Sequence, residues 1–221
     1  MKLLELLRIF RDEVDDTAGD ASARRWSDAE ALEYANDAQS EACRRARLLV
    51  DSSTPAICQL AVPAGASLVA LDARVIFVRR ARFTGSQPLA RMTLQDMDSH
   101  NPYWSDTPPG RPFAFIPDLQ TGKLAVYPPS DAARTLHLTV VREPLLDMND
   151  LQDTPEIAPR YHRSLRYWMM VRAYGKQDSE ANDPKKAASA EVLFAREFGA
   201  PSSAIDEAWI AREQLPGDGT Y

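Results

Sequence analysis

The chain has 221 residues and carries 26 Lys and Arg against 32 Asp and Glu, a formal net charge of −6. That length supports one large or two small domains that fold without staples, and the 44% hydrophobic and 26% charged content is that of an ordinary soluble globular protein. No apolar run is long enough to span a bilayer, and the acidic balance argues against broad DNA binding, which needs a cationic surface to release counterions.

The first stretch, MKLLELLRIFRDEVDD, places Leu3, Leu7, Phe10 and Val14 on one helical face. Glu5 and Arg8 interrupt the apolar run and no small-residue cleavage site follows, so it does not read as a signal peptide. A polar loop leads to WSDAE, where Ser27 is an N-cap and Glu30 completes a capping box. The inner face of this second helix is Leu32, Ala35, Ala38, Ala42, Cys43, Ala46 and Leu49, small enough for close approach of a partner helix. Asn36, Asp37 and Gln39 on the same helix read as solvent-facing or locally bonded.

From Thr54 the pattern changes to strands. ICQLAVPAG and ARVIFVRRARF are rich in Val, Ile and Phe. Arg79, Arg80 and Arg82 make the second of these basic at its end, a pattern that suits arginines solvated or paired with acids, or a small nucleic-acid patch. MTLQDMDSHNP reads as a short helix capped by Thr93 and stopped by Pro102. A hairpin follows: PFAFIPD, a turn at LQTG, then TGKLAVYPPSD, whose alternation is that of a half-buried strand. Pro128 and Pro129 have no N–H for a ladder, so pairing is expected to stop after Tyr127. RTLHLTVVREP alternates Leu136, Leu138 and Val140 against polar residues. The short connections favour antiparallel pairing throughout.

Helical periodicity returns at APRYHRSLRYWMMVRAY, with Tyr161, Leu165, Trp168 and Arg172 on one stripe and apolar residues on the others, as in a helix central to its fold. Asp183 and Pro184 open another helix, with Ala187, Ala190, Phe194 and Phe198 inside and Gly199 closing it. Ser203 and Asp206 then cap a short helix, and EQLPGDGTY reads as a flexible end. The expected fold class is α+β: a helical bundle from the N- and C-terminal helices with an antiparallel β-rich insertion in the middle. The expected parts are 1–54 (helical), 55–149 (β-rich, with the hairpin), 150–199 (helical) and 200–221 (a C-terminal arm).

No chemistry is legible. His100, His137 and His162 are scattered, with no second ligand at helical spacing. Cys43 and Cys58 have neither CxxC nor metal spacing and suit a reducing compartment. Asp147, Asp150 and Asp153 lack the central Gly and terminal Glu of an EF-hand loop. There is no P-loop and no nucleophile elbow. The reading is a protein without enzyme activity, cofactor or metal.

The order of segments resembles that of tailed-phage head-to-tail adaptors, also called connector or head completion proteins. The residues that carry the likeness are WSDAEALEYANDAQSEACRRA, then Leu60, Pro63 and Gly65 at a strand end, Gly110 and Pro112 before the hairpin, Tyr127 and Pro128 after it, and APRYHRSLRYWMMVRAY. The likeness spans roughly residues 20 to 200. It implies a structural virion protein of the neck. Copies would form a ring, commonly dodecameric, docked on the portal protein, extending the DNA channel and offering a platform for the tail or its nozzle. Ring closure requires each subunit to present two different complementary surfaces. Net negative charge would let double-stranded DNA pass without specific binding, and no membrane is involved. Assembly would take place in the host cytoplasm.

Two segments are candidates for contact. In the C-terminal arm, Ile205, Trp209, Ile210 and Tyr221 are too few for a core and read either as a portal-docking anchor or as a segment folded back on the bundle. In the hairpin, Phe113, Phe115, Leu124, Val126 and Tyr127 form either an inter-subunit or tail-facing element or an ordinary closed hairpin. The alternative function is a cytoplasmic nucleic-acid or small-ligand binding module using Arg79, Arg80 and Arg82.

Overall fold

A computed structural model describes residues 1–20, 23–177 and 181–201. The chain is mixed α+β, and its described residues fall into two compact units. One is residues 1–49 with the described part of 143–202; the other is residues 50–142.

The first unit is helical. It holds α1 (Leu3–Glu13), α2 (Asp28–Ala46), α5 (Leu165–Tyr174) and α6 (Pro184–Phe198). These four share one apolar core that includes Leu6, Phe10, Trp26, Ala35, Ala38, Ala42, Met169 and Phe194. Their ends are set locally. Ser27 and Glu30 form the expected capping box on α2, and Asp183 accepts the Lys186 N–H ahead of Pro184 in α6. Trp26, just outside the α2 cap, is fully buried; its indole N–H donates to the Ala173 carbonyl at 3.2 Å, with Phe10 and Tyr174 edge-on. Tyr161 was expected in the fifth helix but lies in a 3-10 turn, Pro159–Ser164, and α5 starts at Leu165. Pro159 lacks an N–H, and His162 is drawn inward to donate to the Ile157 carbonyl at 2.7 Å.

Asn36 and Gln39 are not solvent-facing. Asn36 bonds both the N–H and the carbonyl of Met148, at 2.9 and 3.0 Å, and buried Gln39 accepts the Glu156 N–H. These contacts reach more than a hundred residues along the sequence. A polar side chain on a buried helix face is satisfied by the returning chain instead of water.

The second unit holds β1 (Leu49–Asp51) from Val50 on, α3 (Pro55–Cys58), β2 (Gln59–Val62), β3 (Leu68–Ala70), β4 (Val75–Phe83), β5 (Ala90–Arg91), α4 (Leu94–His100), β6 (Ala114–Gln120), β7 (Lys123–Tyr127) and β8 (Arg134–Arg142). One sheet runs β1-β8-β2, with β4 also on β8; the other runs β3-β7-β6-β5. ICQLAVPAG is therefore not one strand: Pro55 starts a single helical turn, and pairing begins at Gln59. Pairing is not wholly antiparallel either. β5 runs parallel to β6, because the intervening segment contains α4 and makes a crossover.

The hairpin β6–β7 turns at Thr121-Gly122, where Gly122 adopts φ 70°, the left-handed region that glycine allows. Its second strand is not half-buried. Leu124, Ala125, Val126 and Tyr127 are all buried, so the strand is covered on both faces. Ala125 and Tyr127 pack with Ala114, Ile116 and Met97; Leu124, Val126 and Phe115 share the opposite face by register. A buried ion pair anchors β8. The Arg142 Nε donates to Asp51 at 2.7 Å, and Asp51 also accepts from the Ser53 and Thr54 N–H groups and the Thr54 hydroxyl.

Candidate functional site

Three of the segments that carried the family likeness, those around Gly65, Gly110 and Tyr127–Pro128, converge at the open end of the hairpin, while the other two lie in the helical unit. The chain does stop pairing as β7 at Tyr127, but its carbonyls continue. Gly110 N–H donates to Pro129 O at 2.8 Å, Asp131 N–H to Gly110 O at 2.9 Å, and Gly65 N–H to Ser130 O. Phe113 N–H donates to Tyr127 O and Val126 N–H to Ser67 O. A Cβ on Gly110 would stand 3.2 Å from the Pro128 ring, so the position favours a residue without one. Pro128 and Pro129, which can donate nothing, thus terminate the strand, while the Pro129 and Ser130 carbonyls accept from the two neighbouring segments.

Tyr127 is the junction. Its ring meets Phe113 and Trp104 edge-on, at centroid distances of 5.4 and 6.4 Å. Its hydroxyl bonds Thr107 and Asn101 at 3.2 and 3.3 Å; the Thr107 bond and then the Asn101 bond hold the phenol below its ordinary pKa.

Of the five hairpin candidates, the fold brings Phe115, Leu124, Val126 and Tyr127 into the interior and leaves Phe113 half-exposed. Both hairpin edges are taken, by β3 on β7 and by β5 on β6. The arm candidates Ile205, Trp209, Ile210 and Tyr221 lie outside the described residues.

The other surface of interest is one face of the β8-centred sheet. Leu136, Leu138 and Val140 are buried on one face, and Thr135, His137 and Thr139 project to the other. Across the strands, Arg82 faces His137, Arg80 faces Thr139, and Gln59 flanks His137 from β2. Arg79, Arg80 and Arg82 are exposed, and none has an acidic partner among the described residues. The His137 ring nitrogen shares a hydrogen bond with the Thr84 hydroxyl at 2.8 Å. Arg80, Arg82, His137, Thr139, Leu138 and Ser52 line a cavity of about 200 Å³. The sequence pointed to the arginines alone. His137 and Thr139 join them only through β4–β8 pairing, which no local signal in the sequence specifies.

A third feature is the loop of residues 146–153 in the helical unit. Leu146 is 81% exposed and Leu151 half-exposed, beside exposed Asp147 and Asp150. The loop is pinned by the Asn36–Met148 bonds and by the Asp153 carboxylate, which accepts the N–H groups of Asn149 and Asp150 at 2.8 Å. The bonds from Asp150 and then Asn149 hold Asp153 below the usual carboxylate range. The carboxylates of Asp150 and Asp153 thus organise a turn, accepting the Gln152 N–H and the Asn149 and Asp150 N–H groups, while that of Asp147 takes no part in these bonds.

Among the described residues no group of three or more His, Cys, Asp or Glu could hold a metal ion, and no helix is long and apolar enough to cross a membrane. Cys43 and Cys58 are buried, and burial pushes the Cys58 thiol up, away from the reactive thiolate. His162 is occupied structurally: its Nδ1 faces the chain's amino terminus at 3.2 Å and its Nε2–H the Ile157 carbonyl.

No curated protein matches the chain. The family profile described as SU10 adaptor protein matches residues 1–215. That span takes in both compact units and the convergent hairpin residues. The chain belongs to the SU10 adaptor protein family, a family of tailed-phage head-to-tail adaptors.

Proposed function

We propose that the chain is a structural virion protein of the phage neck, a head-to-tail adaptor whose copies form a ring on the portal protein. The ring, dodecameric by the family resemblance, extends the DNA channel and gives the tail or nozzle its attachment platform. The observation that carries this reading is the family match over residues 1–215. In this reading α1, α2, α5 and α6 form a bundle, and the β-rich unit is inserted in the sequence between them.

The overall charge of −6 suits a channel past which double-stranded DNA moves without sticking. In the hairpin, the contribution to a neighbour falls to Phe113, the one candidate there with a half-exposed side chain. The arm, with Ile205, Trp209, Ile210 and Tyr221, docks on the portal in this proposal; truncation after Gly199 is expected to abolish portal binding, and undiminished binding removes the arm's role. Exposed Arg79, Arg80 and Arg82 favour a second reading, a cytoplasmic nucleic-acid or small-ligand module, which a steep loss of DNA affinity with salt would support.

Quantitative mass spectrometry of purified virions tests the main proposal. Parity between this chain and the portal protein is the expected result. Absence from the particle refutes the neck assignment, and a large excess over portal points to a tail-tube or capsid role.

A further inference from the structure

Charge is unevenly divided along this acidic chain. Residues 50–142 carry nine Lys and Arg against seven Asp, a net of +2. The whole chain is −6, so the remaining residues carry −8. The cationic excess of the β unit has an outlet on its surface: the sheet face where Arg80 and Arg82 project without acidic partners around the cavity that His137, Thr139 and Ser52 complete. Two residues apart on one strand face, these arginines stand about 7 Å from one another along β4. Guanidinium groups at that spacing can take two carboxylates separately.

The helical unit displays a matching element. Its loop of residues 146–151 offers Asp147 and Asp150, three positions apart, between half- or more-exposed Leu146 and Leu151. The Asp147 carboxylate has no partner among the described residues. The loop's shape is set by the Asn36 clamp and the Asp153 turn, so little ordering is needed when it docks. Apolar side chains beside desolvated charges are the composition of an interface, with arginine a frequent anchor.

We propose that the Arg80–Arg82 face of one copy receives the acidic loop of residues 146–151 of a second copy. Asp147 and Asp150 occupy the mouth of the cavity against the two guanidiniums, and Leu146 and Leu151 cover the adjoining sheet surface. The contact joins two different surfaces, so each copy retains one of each and the association continues head to tail. The inference rests on the ring reading for closure of that chain of contacts and stands on charge complementarity for the contact itself. A second copy suits the face better than DNA does, because a few exposed arginines on a chain of net charge −6 make a small footprint for a duplex.

The test is sedimentation equilibrium of the full chain, without portal, between about 0.05 and 0.5 M salt, over which the Debye length shrinks from about 14 to about 4 Å. The wild-type chain is expected to self-associate at low salt and to dissociate as salt rises. R80E/R82E and D147R/D150R, both surface changes checked by circular dichroism for folding, are each expected to weaken association about tenfold or more. The chain carrying all four reversals restores opposite charges across the contact and is expected to regain it. Wild-type protein that stays monomeric at low salt, R80E/R82E or D147R/D150R without effect, or a quadruple variant that fails to recover each overturn the inference. So does duplex DNA affinity lost in R80E/R82E while self-association is unchanged, which makes DNA the occupant. Copy number on purified portal separates the two readings: parity that survives R80E/R82E keeps the ring and rejects this contact.

Discussion

Replacing Asp51 with Asn tests the account of the β unit at its most buried ion pair. The carboxylate accepts from the Arg142 Nε at 2.7 Å, the Thr54 hydroxyl at 2.6 Å and the Ser53 and Thr54 N–H groups at 2.8 and 3.1 Å. Asn keeps the shape but exchanges one acceptor oxygen for a donor, and it leaves a guanidinium that is 6% exposed without its carboxylate. Breaking a buried pair from one side costs about 3–5 kcal/mol. That is a roughly 100- to 4,000-fold rise in the opening equilibrium. Amide exchange of peptides across β8 reads it directly, where a whole-chain melt would mix two units.

The pH dependence follows the same carboxylate. Burial would raise its pKa, but the bonds from Thr54, Ser53 and Arg142 outweigh burial and hold it well below the ordinary range. A depressed folded pKa gives stability that is present above the unfolded value of about 3.9 and lost as pH falls toward the folded one. The protection gap between wild type and D51N should therefore narrow below about pH 4. A loss under about 1 kcal/mol at neutral pH, or a gap that does not change on acidification, refutes the assignment of this pair as the anchor of β8.

Asn36→Ala removes both bonds to Met148. It should cost about 1–3 kcal/mol and speed limited proteolysis in residues 145–156, seen by mass spectrometry of the fragments. The Glu30 carboxyl, bonded by Lys176 and then by Ser27, should titrate at about 2 in carboxyl NMR; Lys176→Met should raise that midpoint toward the ordinary value of about 4.3. Glu30's contribution to stability is thus complete above the ordinary value and fades as pH falls toward about 2. Arg45→Ala takes away a side chain only 2% exposed that stacks on Trp168 and Phe194 and bonds Glu41 and Glu191 at 2.7 Å. Urea denaturation should show a loss of about 2–3 kcal/mol, less than for a fully buried pair because Glu191 stays partly solvated.

What the sequence determined by itself is what depends on near neighbours. The caps at Ser27, Thr93 and Asp183 need only the next turn of chain, and all three are present. The period-2 pattern of Leu136, Leu138 and Val140 located β8, and the helical period located α1 and α6, because burying one face requires that spacing whatever lies opposite. What only the tertiary structure decided is which distant partner each residue meets. Asn36 and Gln39 look like surface residues until residues 148 and 156 return to them. β7 looks half-buried until β3 and β6 flank it and Met97 of α4 packs on Ala125 and Tyr127. β5 pairs parallel because a helix intervenes. The arginines of β4 join His137 and Thr139 only through a register set by two strands more than fifty residues apart in sequence. Long-range pairing is chosen by the sum of packing over the whole unit, so no short stretch of sequence contains it.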